Sequence, residues 1–170
     1  MTIETIALPM TKRGQQVDTN HVDKLVGNYK KQRWVKNSSA LGRPDSMSIW
    51  YGLDELQTFL ELAREHKADG IKMFFGVYPE NFAPRPELSG LQTIVLVATR
   101  QSKTVAGVMN KSIYIDLQGS KEILAFNFGS ACPPYCTSDY PPYDSGLPSG
   151  IEMEKLGLSI IETSDGITII

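Results

Sequence analysis

Over residues 46–78 the spacing of apolar side chains changes period twice, and few folds accommodate that in so short a stretch. Ser46-Met-Ser-Ile-Trp-Tyr alternates, with Met47, Ile49 and Tyr51 on one side and Trp50 on the other, and reads as a short strand. Leu53, Leu56, Phe59, Leu60 and Ala63 then recur at helical spacing, which predicts a helix from about Leu53 to Lys67 with a broad apolar stripe. Asp54 and Glu55 stand in its first turn, where carboxylates meet the positive end of the helix dipole, and Gly70 offers a stop. Ile71-Lys-Met-Phe-Phe-Gly-Val-Tyr alternates again, with Ile71, Met73, Phe75 and Val77 on one side and Lys72, Phe74, Gly76 and Tyr78 on the other. A right-handed crossover could set the two strands of this unit parallel.

The flanking chain adds one helix and several strands. Val22, Leu25, Val26 and Tyr29 fall on one helical face, behind a cap at Asp18 or Thr19, and Asn37 to Asp45 has the composition of a loop. Gln92-Thr-Ile-Val-Leu-Val-Ala-Thr-Arg is apolar on both faces, as a covered central strand is. Ser112-Ile-Tyr-Ile-Asp-Leu and Glu122-Ile-Leu-Ala-Phe-Asn-Phe are joined across Gln118-Gly119-Ser120, and Asp165-Gly166 is a two-residue hairpin signal between two further apolar runs. This order predicts an α+β fold, a mostly antiparallel sheet of about five to seven strands with two helices packed on it. Residues 1–17 read as an N-terminal arm and residues 18–170 as one domain, in keeping with a chain of 170 residues.

Composition breaks at Gly129. Residues 129–150 hold five prolines, three tyrosines and both cysteines, so the segment is a stiffened loop rather than a strand or helix. Disordered segments are poor in aromatic residues, so this loop is expected to be ordered across the fold with at least one tyrosine ring buried. A stiff loop bearing Tyr135, Tyr140 and Tyr143 loses little entropy on binding. Trp50, Tyr78 and Arg100 are the other candidate contacts for a ligand or partner.

Ile49-Trp-Tyr-Gly-Leu-Asp-Glu-Leu, Gly70-Ile-Lys-Met-Phe-Phe-Gly-Val-Tyr-Pro, Thr93-Ile-Val-Leu-Val-Ala-Thr-Arg and Asn127-Phe-Gly-Ser-Ala-Cys-Pro-Pro-Tyr-Cys resemble the pattern of a family of small uncharacterised bacterial proteins. The resemblance spans about residues 46–136 and implies a bacterial source and a shared fold, with no chemistry attached.

Signatures of catalysis are missing: there is no phosphate-binding glycine loop, no dinucleotide fingerprint, no Gly-x-Ser-x-Gly elbow and no His-Glu-x-x-His. No cofactor is implied. Cys132 and Cys136 have a spacing that zinc permits, but two more ligands would have to come from His21, His66, Asp139 or Asp144, and no metal site is expected. No apolar run approaches the about 18 residues of a membrane helix. The first ten residues carry Glu4 and no sustained apolar core, unlike a secretory signal. The expected home is therefore the cytoplasm, where the two cysteines would be reduced thiols packing the root of the loop.

Charge is uneven. Residues 1–36 carry seven basic against three acidic side chains, and residues 137–170 six acidic against one basic. Opposite ends of this kind attract each other within a fold or between copies. The leading expectation is a small binding or interaction module that self-associates as a homodimer, with a small-molecule or protein partner. The rival is a small-molecule enzyme with its site between the loop and the sheet, using Cys132 or Cys136 with Asp139 and Lys72 as polar partners. The third is a weak nucleic-acid binder through the basic N-terminal segment, which the overall charge of −2 opposes.

Overall fold

The computed structural model describes residues 14–136, together with the backbone of residues 160–163 and 166–169. The fold is α+β with antiparallel sheets. Helix α1 (Thr19–Tyr29) starts at Asp18, whose Oδ1 accepts the His21 N–H at 2.8 Å. It runs without a break through a π-helical turn (Lys30–Trp34) into α2 (Val35–Leu41), which ends on Gly42 in the left-handed region. The helix therefore extends into the stretch expected to be a loop from Asn37. Trp34 and Asn37 explain the extension, because both reach Asp45: Trp34 Nε1 donates to its carbonyl at 2.7 Å and Asn37 Nδ2 to its carboxylate at 3.1 Å.

Strand β1 (Ser48–Trp50) leads into α3 (Leu53–Glu65), where Glu55 Oε2 reaches back to the Gly52 N–H at 2.8 Å. The helix stops before Gly70. Lys67 takes the left-handed position at φ 59°, with Lys67 N–H bonded to the Arg64 carbonyl and Ala68 N–H to the Ala63 carbonyl, a Schellman ending. Phe59 and Ala63 are buried and Leu56 is half-buried, whereas Leu53 and Leu60 are exposed. The packing stripe is thus narrower than the spacing suggested, and Leu60 is not part of it.

The main sheet has the order β2-β3-β4, from β2 (Gly70–Val77), β3 (Gln92–Thr104) and β4 (Gly107–Ser112), with β7 (Ala125–Phe126) also paired to β3. Strand β3 is the covered centre: Leu96, Val97, Ala98 and Thr99 are all buried. On one face α3 and the sheet enclose Phe59, Ala63, Leu96, Ala98, Ile113 and Leu124, and the Phe59 ring stacks on Phe126 at 5.2 Å. Strand β4 was not expected, since Gly107-Val-Met-Asn-Lys-Ser lacks a clear alternation. Strands β5 (Tyr114–Leu117) and β6 (Ser120–Ile123) form a hairpin across Gln118 and Gly119, both at positive φ.

Strand β1 pairs antiparallel with β8 (Ser130–Cys132) and not with β2, so the parallel crossover does not occur. Gly129 permits this pairing: a Cβ there would lie 2.6 Å from Ile49 Cγ2 and 2.6 Å from Tyr51 Cζ. Strands β9 (Ile160–Thr163) and β10 (Gly166–Ile169) pair with Gly166 opposite Thr163, one residue earlier than a turn on Asp165-Gly166 would give.

Candidate functional site

The root of the proline-rich loop folds onto the segment between β2 and β3. Pairing of β8 with β1 places Ala131 in a second core with Tyr78, Leu88 and Leu91. Tyr135, half-buried, packs against it. Its hydroxyl donates to Glu87 Oε1 at 2.6 Å, and the Arg85 guanidinium lies 5.2 Å from its ring centre and 3.1 Å from the same carboxylate. The Tyr135 hydrogen bond holds the Glu87 pKa below the usual carboxylate range. Burial, and then the Glu87 bond, raise that of Tyr135. Tyr135 is therefore engaged with its own fold. Tyr140, Tyr143 and Asp139 lie outside the described residues, as does most of the expected arm at 1–17.

Cys132 and Cys136 form a disulfide, with Cα atoms 4.6 Å apart and the cis bonds Cys132–Pro133 and Pro133–Pro134 between them. This corrects the expectation of two reduced thiols. That expectation argued from compartment, whereas the bond follows from a local path that brings both sulfurs to one place. A disulfide sulfur is neither a thiolate nucleophile nor a metal ligand, so in this state the cysteines supply neither chemistry.

Tyr78, also expected at the site, is buried at the end of β2. Its hydroxyl donates to Asn127 Oδ1 at 2.6 Å, and its ring stacks on Phe82 at 4.8 Å and Phe128 at 6.2 Å. Asn127 ties the group together, donating to the Ile94 carbonyl at 2.9 Å and accepting the Phe128 N–H at 2.6 Å. Phe128 is held at φ 71° with its ring exposed, an uncommon backbone for a bulky residue. Trp50 is exposed on β1, opposite Ser130.

The remaining two candidates are separated. Strand alternation puts Lys72, opposite Val97, on one face of the sheet and Arg100 on the other, the face of Leu96 and Ala98. Lys72 Nζ donates to the Asn110 carbonyl at 2.6 Å, tying β2 to β4 across β3. Arg100 lies directly opposite Lys111.

Three features had no advance signal strong enough to find them. The first is Asp45, a buried carboxylate. Its Oδ1 accepts the Gln92 N–H at 2.7 Å and the Ser46 N–H at 2.8 Å, so it joins the end of the first helix to the starts of β1 and β3. The second is an apolar cleft of about 260 Å³ between α1 and the sheet, walled by Leu25, Val26, Met47, Ile49, Phe75 and Ile94. At its edge the Tyr29 hydroxyl is buried near the Gln92 side chain and, among the described residues, meets no partner in good hydrogen-bond geometry. Burial raises the Tyr29 pKa, with the Asp45 charge adding to the effect and the approach of the Gln92 side chain opposing it.

The third is the free side of β2. Among the described residues this strand pairs only with β3, and Met73, Phe75 and Val77 are 67%, 82% and 69% exposed. An eight-residue edge strand with unpaired backbone groups and a row of large apolar side chains is a template for another strand. No described helix is long and apolar enough to cross a membrane. No known protein family, curated protein or solved structure matches the chain.

Proposed function

We propose that the protein is a non-catalytic binding module that works as a homodimer, with β2 as the edge where two copies meet. The observation that supports this most is the uncovered row Met73, Phe75 and Val77 on an edge strand. The strand is also self-complementary. In an antiparallel pairing about a two-fold axis, residues directly opposite share a face, so the axis passes through a residue rather than between two. Centring it on Phe74 overlaps all of 71–77, sets Ile71 against Val77 and Met73 against Phe75, and places Lys72 against Gly76, so no like charges meet. The product is a six-stranded sheet in the order β4-β3-β2-β2-β3-β4. The cleft beside Phe75 then lies close to the joint, where a small apolar ligand could be held.

Light scattering at high micromolar concentration tests the reading. The unmutated chain is expected to run as a dimer and the double variant Met73→Lys/Phe75→Lys as a folded monomer. A monomeric unmutated chain, or a variant that remains dimeric, overturns it. A cytoplasmic bacterial setting is part of the proposal. Rapid alkylation in intact cells that recovers Cys132 and Cys136 still linked would place the protein in an oxidising compartment instead.

A further inference from the structure

The β3–β4 hairpin carries a charge arrangement that the fold does not explain. Arg100 and Lys111 are directly opposite each other across the ladder. Like charges at such a position destabilise an antiparallel pair, and surface strands ordinarily avoid them or supply a carboxylate between them. Here no described carboxylate lies in ion-pair contact with either side chain. Among the described residues neither side chain makes a hydrogen bond or an ion pair. The nearby carboxylates are held by backbone or hydroxyl donors, Asp69 on the hairpin itself, and none is in ion-pair contact with either cation. Asp69 Oδ2 accepts the Gln101 N–H at 2.8 Å, Asp116 Oδ1 accepts the Gly119 N–H at 2.9 Å, and Glu122 accepts from the Ser120 hydroxyl at 2.7 Å.

The two cations flank an open cleft of about 340 Å³ where β4 passes into β5. Of its other residues Ser102 shares the strand face of the two cations, Gln101 and Ser112 belong to the opposite face, and the exposed Tyr114 forms one side. A guanidinium offers a planar fork of donors, an ammonium a compact charge, and the Ser102 hydroxyl a neutral hydrogen bond to a remaining oxygen. Two adjacent positive charges match a dianion better than a monoanion. The room beyond one tetrahedral group, with an aromatic wall, suits an organic substituent on that dianion.

The geometry points to an oxyanion site for a small organic phosphomonoester, gripped by Arg100 and Lys111 with its organic part against Tyr114. Occupancy removes the repulsion between the two strands, so binding and hairpin stability are linked. This site is independent of the β2 edge and of the homodimer.

The probe is phenyl phosphate, followed on the full chain by amide chemical shifts and by calorimetry, with inorganic sulfate and benzoate as competitors. Saturable shifts are expected at residues 100–102 and 111–114, weakening as salt is raised. Arg100→Gln and Lys111→Gln are each expected to weaken binding about tenfold or more, since each removes charged hydrogen bonds. Both side chains are exposed, so both variants should fold, and Lys111→Gln without ligand should melt no lower than the unmutated chain. Phenyl phosphate should raise the melting temperature of the unmutated chain and leave that of the Arg100→Gln/Lys111→Gln double variant unchanged. Equal binding of sulfate or benzoate would reduce the site to general attraction of anions and overturn the phosphomonoester assignment. Shifts confined to other residues, or affinity untouched by both substitutions, would overturn the site itself.

Discussion

Replacing Phe59 by Ala should cost far more than replacing its neighbour Leu60 by Ala, although the two differ little in sequence-level hydrophobicity. Phe59 is 4% exposed, stacks on Phe126 at 5.2 Å and sits in the cluster between α3 and the sheet. Truncating a buried phenylalanine removes its transfer free energy and leaves a cavity that rigid strands fill poorly, about 3–5 kcal/mol in all. Leu60 is 38% exposed, so part of its surface already meets water and the space it vacates opens to solvent. Its loss should cost about 1 kcal/mol. For a chain of 170 residues these become falls in melting temperature of about 6–20 °C for Phe59→Ala and about 2–4 °C for Leu60→Ala. Urea titration followed by circular dichroism gives the same comparison, with equal m-values required for the differences to be read as stability. Equal losses, or a larger loss at Leu60, would mean that α3 is rotated about its axis from the position described, and the core built on Phe59 and Ala63 would be wrong.

Substitutions at two further positions test the connections between elements. Asp45→Ala strands the Gln92 and Ser46 N–H groups and the Asn37 amide in a buried place, and should destabilise by about 3–5 kcal/mol. Asp45→Asn keeps an acceptor for both N–H groups and should cost less than half as much in the same titration, whereas equal costs would show that charge rather than hydrogen-bond geometry holds the joint. Lys67→Gly relieves a side chain held at φ 59° and should raise stability by about 0.5–1 kcal/mol, and a destabilised variant would refute the Schellman ending.

What the sequence determined by itself was local. The alternation over Ile71 to Tyr78, the helical recurrence through Phe59 and Ala63, the doubly apolar run of β3 and the turn at Gln118-Gly119 each follow from a period or a backbone preference within a few residues. Those signals survive into the structure because burial of one face requires them. The α+β class followed from their order. The tertiary structure alone decided what depends on residues far apart in the chain. Leu60 belongs to the same apolar stripe as Phe59, but the packing of α3 covers Phe59 and Ala63 and leaves Leu60 exposed. Asn37 to Leu41 has a loop composition, yet the helix persists because Asp45 returns to meet Trp34 and Asn37. Cys132 and Cys136 form a disulfide, a pairing that spacing alone leaves open. Arg100 stood out in the sequence as a charge in an apolar strand, but its meaning required Lys111, which the register of the hairpin puts opposite it. Periodicity records which face of an element is apolar. Only the packing of elements against one another sets which part of that face is covered, which strand edge is left open and which charges are brought together without a partner.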